Sequence, residues 1–183
     1  VRELVGGRHR PDLAERLVNI ASYAQTPGDF TQVVVRHAAS GSALGASEFF
    51  ATLGISTPEG FFGDLEENMT LFFYAPREEK TAEGTRNASR AHFGMLIPVK
   101  GSAQSVAEKL REWEATLGGD FAPLAFGREW LAGTEPFFHD RLYQGTNIRY
   151  QNFPDPYMAV DYAVFEGATP PLLIFTASRE SML

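Results

Sequence analysis

Apolar side chains at Leu13, Leu17, Ile20 and Ala24 recur at helical spacing, and Pro11 and Asp12 open the run. The pattern predicts a helix over 12–24. Thr26-Pro27-Gly28-Asp29 stops it. The β-branched stretch 31–36 reads as a strand, followed by a turn of small residues at 40–45. Ala46, Phe49, Phe50 and Leu53 then make a short amphipathic helix, closed by Gly54 just past its end. Residues 69–74 and 92–99 read as two more strands. The charged segment 77–90 between them, with Gly84 near its middle, reads as a mobile surface loop.

The strongest periodicity lies over 102–117. Val106, Leu110, Trp113 and Leu117 form one stripe, which predicts that Trp113 is buried and anchors the helix on a sheet. Ser105 and Glu108 have capping-box spacing, and Gly118-Gly119 is the expected stop. Lys109, Arg111 and Glu112 belong to its solvated face. Beyond a loop with Pro123, Trp130 and Pro136, strands are expected at 138–143, 147–153, 159–165 and 172–176. Gln144-Gly145, Pro154-Asp155-Pro156 and the segment 167–171 separate them as turns. Four such strands in a row make an antiparallel meander. Ser178 would cap a last helix.

The predicted order is α-β-α-β-β-α-β-β-β-β-α. This is an α+β fold, antiparallel sheet with helices packed on one face and a C-terminal four-stranded meander. Strand–helix–strand–strand occurs twice, which suits one domain (1–183) built from two related lobes, 1–99 and 100–183. Centring the 154–156 turn on Asp155 sets Arg149 opposite Asp161 as a cross-strand ion pair. Ile148, Tyr150, Val160 and Tyr162 would then share the core face. The functional alternative makes Arg149 an anion binder and Asp161 a general base.

Doubled phenylalanines at 49–50, 61–62, 72–73 and 137–138 add a question. In a strand the two rings of a pair point to opposite faces, so one needs cover from the domain, from a partner or from an apolar ligand. Hydrophobic residues are 44% of the 183, enough for a sizeable core. The net charge of −7 repels phosphate backbones and argues against nucleic acid as a partner. The run Arg8-His9-Arg10 is too short to reverse that, and reads as a solvated N-terminal tail.

The chain has no cysteine, so disulfides, thiolate metal sites and thiol nucleophiles are excluded. Its apolar runs are strand-sized, with no signal peptide and no membrane span. His9, His37, His92 and His139 form no metal-binding spacing. No nucleophile elbow or phosphate loop is present, and the acidic run 64–68 lacks the ligand alternation of a calcium loop. Asp140, Asp155 and Asp161 could face one another as glycosidase carboxylates do, although ladder ion pairs explain them as well. Asn68-Met69-Thr70 and Asn87-Ala88-Ser89 are glycosylation sequons. No catalytic, cofactor-binding or metal-ligating residue is expected; Trp113, Asp120, Asp140, Arg149 and Asp161 are expected to be structural.

Trp113-Glu114, Leu117, Asp120-Phe121 and Pro123-Leu124 compose W-E-x-x-L-x-x-D-F-x-P-L. Downstream come Phe138, Asp140, Arg149, Asp161-Tyr162-Ala163 and Ile174-Phe175-Thr176-Ala177-Ser178. Over about 12–182 this resembles an uncharacterised family of membrane-anchored proteins of candidate-phyla (Patescibacteria) bacteria. Leu117 replaces the family's usual methionine, Ala125 intervenes before Phe126, Asn147 stands at an acidic position, and 77–90 reads as an insertion. The resemblance implies an extracytoplasmic domain of the cell envelope, with a polar tail and a membrane helix preceding Val1. It implies no chemistry. The expected action is therefore contact with an envelope protein or self-association, without a cofactor. The alternatives are an apolar-ligand module, its pocket lined by phenylalanines between helix 102–117 and the sheet, and a hydrolase using Asp and His.

Overall fold

The structure is a computed structural model that describes residues 2–6, 10–22, 26–76, 79–81, 84–86, 91–121, 124, 137–153, 159–177 and 182. Ten strands are described: β1 Arg2–Gly6, β2 Phe30–His37, β3 Thr70–Tyr74, β4 Glu79–Thr81, β5 Gly84–Arg86, β6 His92–Pro98, β7 His139–Tyr143, β8 Thr146–Asn152, β9 Ala159–Phe165 and β10 Leu172–Thr176. The helices are α1 Arg10–Ser22, α2 Ala46–Leu53 and α3 Ala103–Asp120, with a 3-10 turn at Phe61–Asp64. Eight strands form one sheet in the order β1-β2-β3-β6-β10-β9-β8-β7. Every neighbouring pair is antiparallel except β1 with β2. The fold is α+β, and β7 to β10 are the C-terminal meander.

The alternation of strand residues decides where the helices lie. Val33, Val35, Leu71, Phe73, Phe93, Met95, Ile97, Leu173, Phe175, Val160 and Tyr162 share one face and belong to a single core. Leu13 and Leu17 of α1, Phe49, Phe50 and Leu53 of α2, and Val106, Leu110, Trp113 and Leu117 of α3 complete that core. The helices therefore cover one face. The opposite face carries the row Gln32, Phe72, Gly94, Thr176, Asp161, Tyr150 and His139, one residue per strand. Gly94 has a packing reason, because a Cβ there would lie 2.1 Å from the Phe72 ring.

α2 ends as its sequence predicts. Gly54 adopts φ 67°, its N–H donates to Ala51 and that of Ile55 to Phe50, the two bonds of a Schellman motif. Its start is capped from a distance. Gly45 offers no side chain, and the Glu67 carboxylate accepts from the Ser47 N–H (3.2 Å) and hydroxyl (2.8 Å). A Cβ on residue 45 would lie 2.4 Å from Glu67 Oε2, so the glycine makes room for the carboxylate. Glu67→Ala is expected to cost about 1 kcal/mol, the usual loss of an N-cap. Gly45→Ala should shift stability the same way; unchanged urea midpoints for both would show that water caps this helix equally well.

Four expectations are corrected. β1 forms where no strand was expected, and α1 begins at Arg10, within the run read as a solvated tail, while Arg8 and His9 lie outside the described residues. Part of the 77–90 loop is the β4–β5 hairpin, which pairs with itself as a separate two-stranded sheet. The cap of α3 is Ser102, whose Oγ accepts from the Ser105 N–H at 3.2 Å, rather than the Ser105–Glu108 pair. α3 also runs through Gly118-Gly119. A Cβ on Gly118 would meet Gln151 Oε1 at 2.3 Å, so that glycine brings helix and strand together instead of ending the helix. Ala24, Pro123, Trp130, Pro136 and Ser178 lie outside the described residues.

Candidate functional site

A polar assembly joins α3 to the meander. Beside the apolar stripe of α3 runs a second one, Ala107, Arg111, Glu114 and Gly118, at the same helical spacing. Glu114 meets Arg149 of β8 in a forked pair: Arg149 Nε donates to Oε1 at 2.7 Å and Nη2 to Oε2 at 2.5 Å. Arg149 Nη1 donates to Asp140 Oδ2 of β7 at 2.7 Å. Asp140 Oδ1 accepts from Asn147 at 3.0 Å, and the Arg111 guanidinium stands 3.9 Å away. The Tyr162 hydroxyl of β9 donates to Glu114. Only 12% of the Arg149 side chain and 16% of Glu114 remain exposed.

Electrostatics follows from these contacts. Hydrogen bonding to Glu114 raises the Arg149 pKa further, against the effect of burial, and Asp140 adds to the rise. Burial and then the bond to Glu114 push the Tyr162 phenol up. Asn147 and Arg149 hold the Asp140 carboxyl below the usual carboxylate range. Both Glu114 oxygens accept hydrogen bonds, so this carboxylate ties α3 to β8 and β9. The cluster's evident work is to fix α3 on β7, β8 and β9.

A second clip fixes the other side of α3. Asp64 Oδ2, in the 3-10 turn, accepts from Ser105 Oγ at 2.7 Å and from Lys109 Nζ at 3.0 Å. Those bonds lower its pKa, the one to Ser105 most. A carboxylate depressed in the folded state adds stability above its unfolded pKa and loses it as pH falls through the folded value. Asp64 and Asp140 therefore predict declining stability from about pH 4 downward. Asp64→Asn is expected to lower the melting temperature at pH 7 and to shrink its drop at low pH. An acid limb as steep as the original would remove Asp64 from this role.

The expected structural residues divide. Trp113 is buried and donates from Nε1 to Asp120 Oδ2 at 2.7 Å, so those two meet. Asp140 and Arg149 also meet. Asp161 does not join them, because the register sets Arg149 opposite Tyr162 and Tyr150 opposite Asp161. The strand pairing is one residue away from that expected, which puts Arg149 and Asp161 on opposite faces. Val160 and Tyr162 face the helices, while Ile148 and Tyr150 do not. Asp140 and Asp161 likewise lie on opposite faces, and Asp155 lies outside the described residues. No glycosidase-like pair forms between Asp140 and Asp161.

The sequence shows Glu114 only within the W-E motif and Tyr162 as a core-face residue, and neither is legible there as a partner in the Arg149 cluster. The stripe of small and charged residues beside Trp113 was the available signal, since a carboxylate at the edge of a buried stripe requires a polar partner.

His37 Nε2 stands 2.8 Å from Glu48 Oε2, with the two side chains 34% and 47% exposed. His139 stacks on Tyr150, and His92 is buried on the outer face. Among the described residues, no cluster of three or more His, Asp or Glu could hold a metal ion. No described helix is long and apolar enough to cross a membrane.

Where α3 meets the sheet, Trp113 packs on Phe50, Phe61, Phe121 and Phe175 at 5.2–6.3 Å between ring centroids. The void beside Phe93, Phe121 and Phe175 is about 10 Å³, room for no more than a water. Of the doubled phenylalanines, Phe49, Phe50, Phe61, Phe72, Phe73 and Phe138 are buried, while Phe137 is 57% exposed.

Comparison with protein-family models, with curated proteins and with solved structures finds no match.

Proposed function

We propose that the chain is a non-enzymatic, extracytoplasmic domain of a membrane-anchored bacterial envelope protein, working by contact with another protein or with a second copy of itself. The observation that carries this reading is the cluster of Phe30, Phe72 and Tyr74. The Phe30 ring centroid lies 5.4 Å from that of Phe72 and 4.8 Å from that of Tyr74, on the side of the sheet away from the helices, and Phe30 is 62% exposed. Leu142 on β7 is 73% exposed as well. Phe72 is buried and Tyr74 half-buried, so Phe30 is the ring this cluster presents to solvent, and an exposed aromatic held in place by its neighbours is a common interface anchor. The polar cluster around Arg149 points the same way, since its groups are used in holding the fold. Envelope location rests on the resemblance at Trp113–Leu124 and the matching segments after it.

The test is photo-crosslinking in cells from a probe placed at residue 30, with the exposed Glu15 position as control. One discrete adduct from position 30, lost with Tyr74→Ser, is expected. Identical patterns from both positions, or none, would remove the protein-contact reading. Protease accessibility of the full-length protein in intact cells tests the location separately.

A further inference from the structure

We propose that the fork between the ends of β8 and β9 receives an extended peptide of a partner protein, which pairs its main chain with β9 as an added strand. The β8–β9 ladder stops at Arg149 and Tyr162, although both strands run on. β8 continues to Thr146 against β7, and β9 continues to Phe165 against β10. Residues 146–148 and 163–165 are thus paired on one side only, over about 10 Å of each strand. A groove of about 700 Å³ opens there, lined by both strand ends. Its other wall is α3, where Ala103 and Ala107 present only small side chains.

The parity of the ladders shows which backbone groups face the fork. Ala177 N–H donates to Phe93 and Val99 N–H donates to Pro171, so odd-numbered residues of β10 turn to β6 and even-numbered ones to β9. Leu172 and Ile174 therefore exchange bonds with Phe165 and Ala163. Val164, between them, turns its N–H and C=O the other way, toward the fork. On β8 Arg149 faces Tyr162, so Asn147, two residues away, also faces the fork. The ladder ends before Asn147 and Val164 pair.

A strand edge left in this state is what strand addition uses: the peptide main chain supplies the bonds, and pockets hold alternate side chains. An added strand would turn every second side chain toward Ala103 and Ala107, which leave room for an apolar one. Charge does not favour an anion instead, because Arg149 is already neutralised by Glu114 and Asp140 in a chain of net charge −7. Arg149 also stands at the base of the fork, clamped to α3. Beyond it the hairpin tip around Gln144 and Gly145 is exposed, so that tip can move aside without disturbing the core.

The first test needs no ligand. In hydrogen exchange followed by NMR, the Val164 amide is expected to exchange at least about tenfold faster than those of Tyr162 and Ala163, which the ladders bond. Equal protection of the three would overturn the proposal. The second selects dodecapeptides from a random displayed library on the folded chain, with Ala107→Trp, which fills the groove, as counter-selection. An enriched peptide, made synthetically, is expected to slow Val164 exchange and to shift the Asn147 and Val164 amides saturably. Methylating its backbone nitrogens one at a time should weaken binding by about tenfold or more at every second position. Should Ala107→Trp not fold, Val164→Pro replaces it, since proline deletes only an N–H outside the ladder. Phe30→Ser should leave peptide binding unaltered, so failure at the fork and failure of the Phe30 contact are read separately. No enriched peptide, equal binding to the filled groove, or methylation losses without a period of two would each overturn the proposal.

Discussion

Replacing Trp113 with alanine is expected to cost about 3–5 kcal/mol in urea unfolding, the range for a large aromatic lost from a core. The residue is 4% exposed and touches four phenylalanine rings drawn from α2, the 3-10 turn, the end of α3 and β10. Its loss would thus loosen four elements at one point, and the remaining rings cannot close around the hole without shifting α3. The indole N–H adds a separable contribution through Asp120. Trp113→Phe keeps most of the ring and drops that bond, so it should cost less than the alanine change. Asp120→Ala alone should cost about 1 kcal/mol or somewhat more. A Trp113→Ala loss under about 1 kcal/mol would mean that the ring contacts contribute little beyond what the unfolded chain already has.

Trp113 shows what kind of information the sequence carries. Its burial, the ends of α2 and the strands of the meander were legible because period and turn chemistry are local properties. The register of β8 on β9 was not. β9 is buried on both faces from Ala159 to Ala163, so hydrophobic alternation could not say which set faces the helices. Centring the turn on Asp155 was then a guess about five residues, and a slip of one inverts the strand. β1 was missed for a related reason: a short parallel edge strand depends on a distant partner, β2, and leaves little local pattern. Gly118 misled because glycine has two uses near a helix end. It can terminate the helix, or it can let another element approach, and only the position of Gln151 distinguishes them.

The candidate site was half legible. Asp140 and Arg149 were singled out, but Arg149 was given the wrong carboxylate. In the folded chain its partner comes from α3, 35 residues away, and no spacing rule covers that distance. Glu114 could have been suspected from its place beside Trp113, where a helix turning its apolar stripe inward must also seat the next residue at the edge of the core. The groove flanking this cluster could not be read at all, because it is a shape made by two elements and not a property of either.

The second large effect is expected at the clamp itself. Arg149→Met leaves Glu114 largely buried without its cation, and breaking a buried pair from one side typically costs about 3–5 kcal/mol. Glu114→Gln should cost less, about 1.5–3 kcal/mol, because Arg149 keeps Asp140 and Tyr162 can still donate to the amide oxygen. The double variant separates charge pairing from packing. With both charges gone, no ion is stranded, so its loss should fall short of the sum of the single losses by about 1–3 kcal/mol. Salt provides a further check. An exposed pair weakens as the Debye length falls to about 3 Å at 1 M ionic strength, whereas a pair shielded by α3 and the meander is screened much less. The coupling should therefore persist in 1 M NaCl. Single losses that simply add, or a coupling abolished by salt, would show that the fork is a surface ion pair and that the apolar stripe of α3 alone holds the helix to the meander.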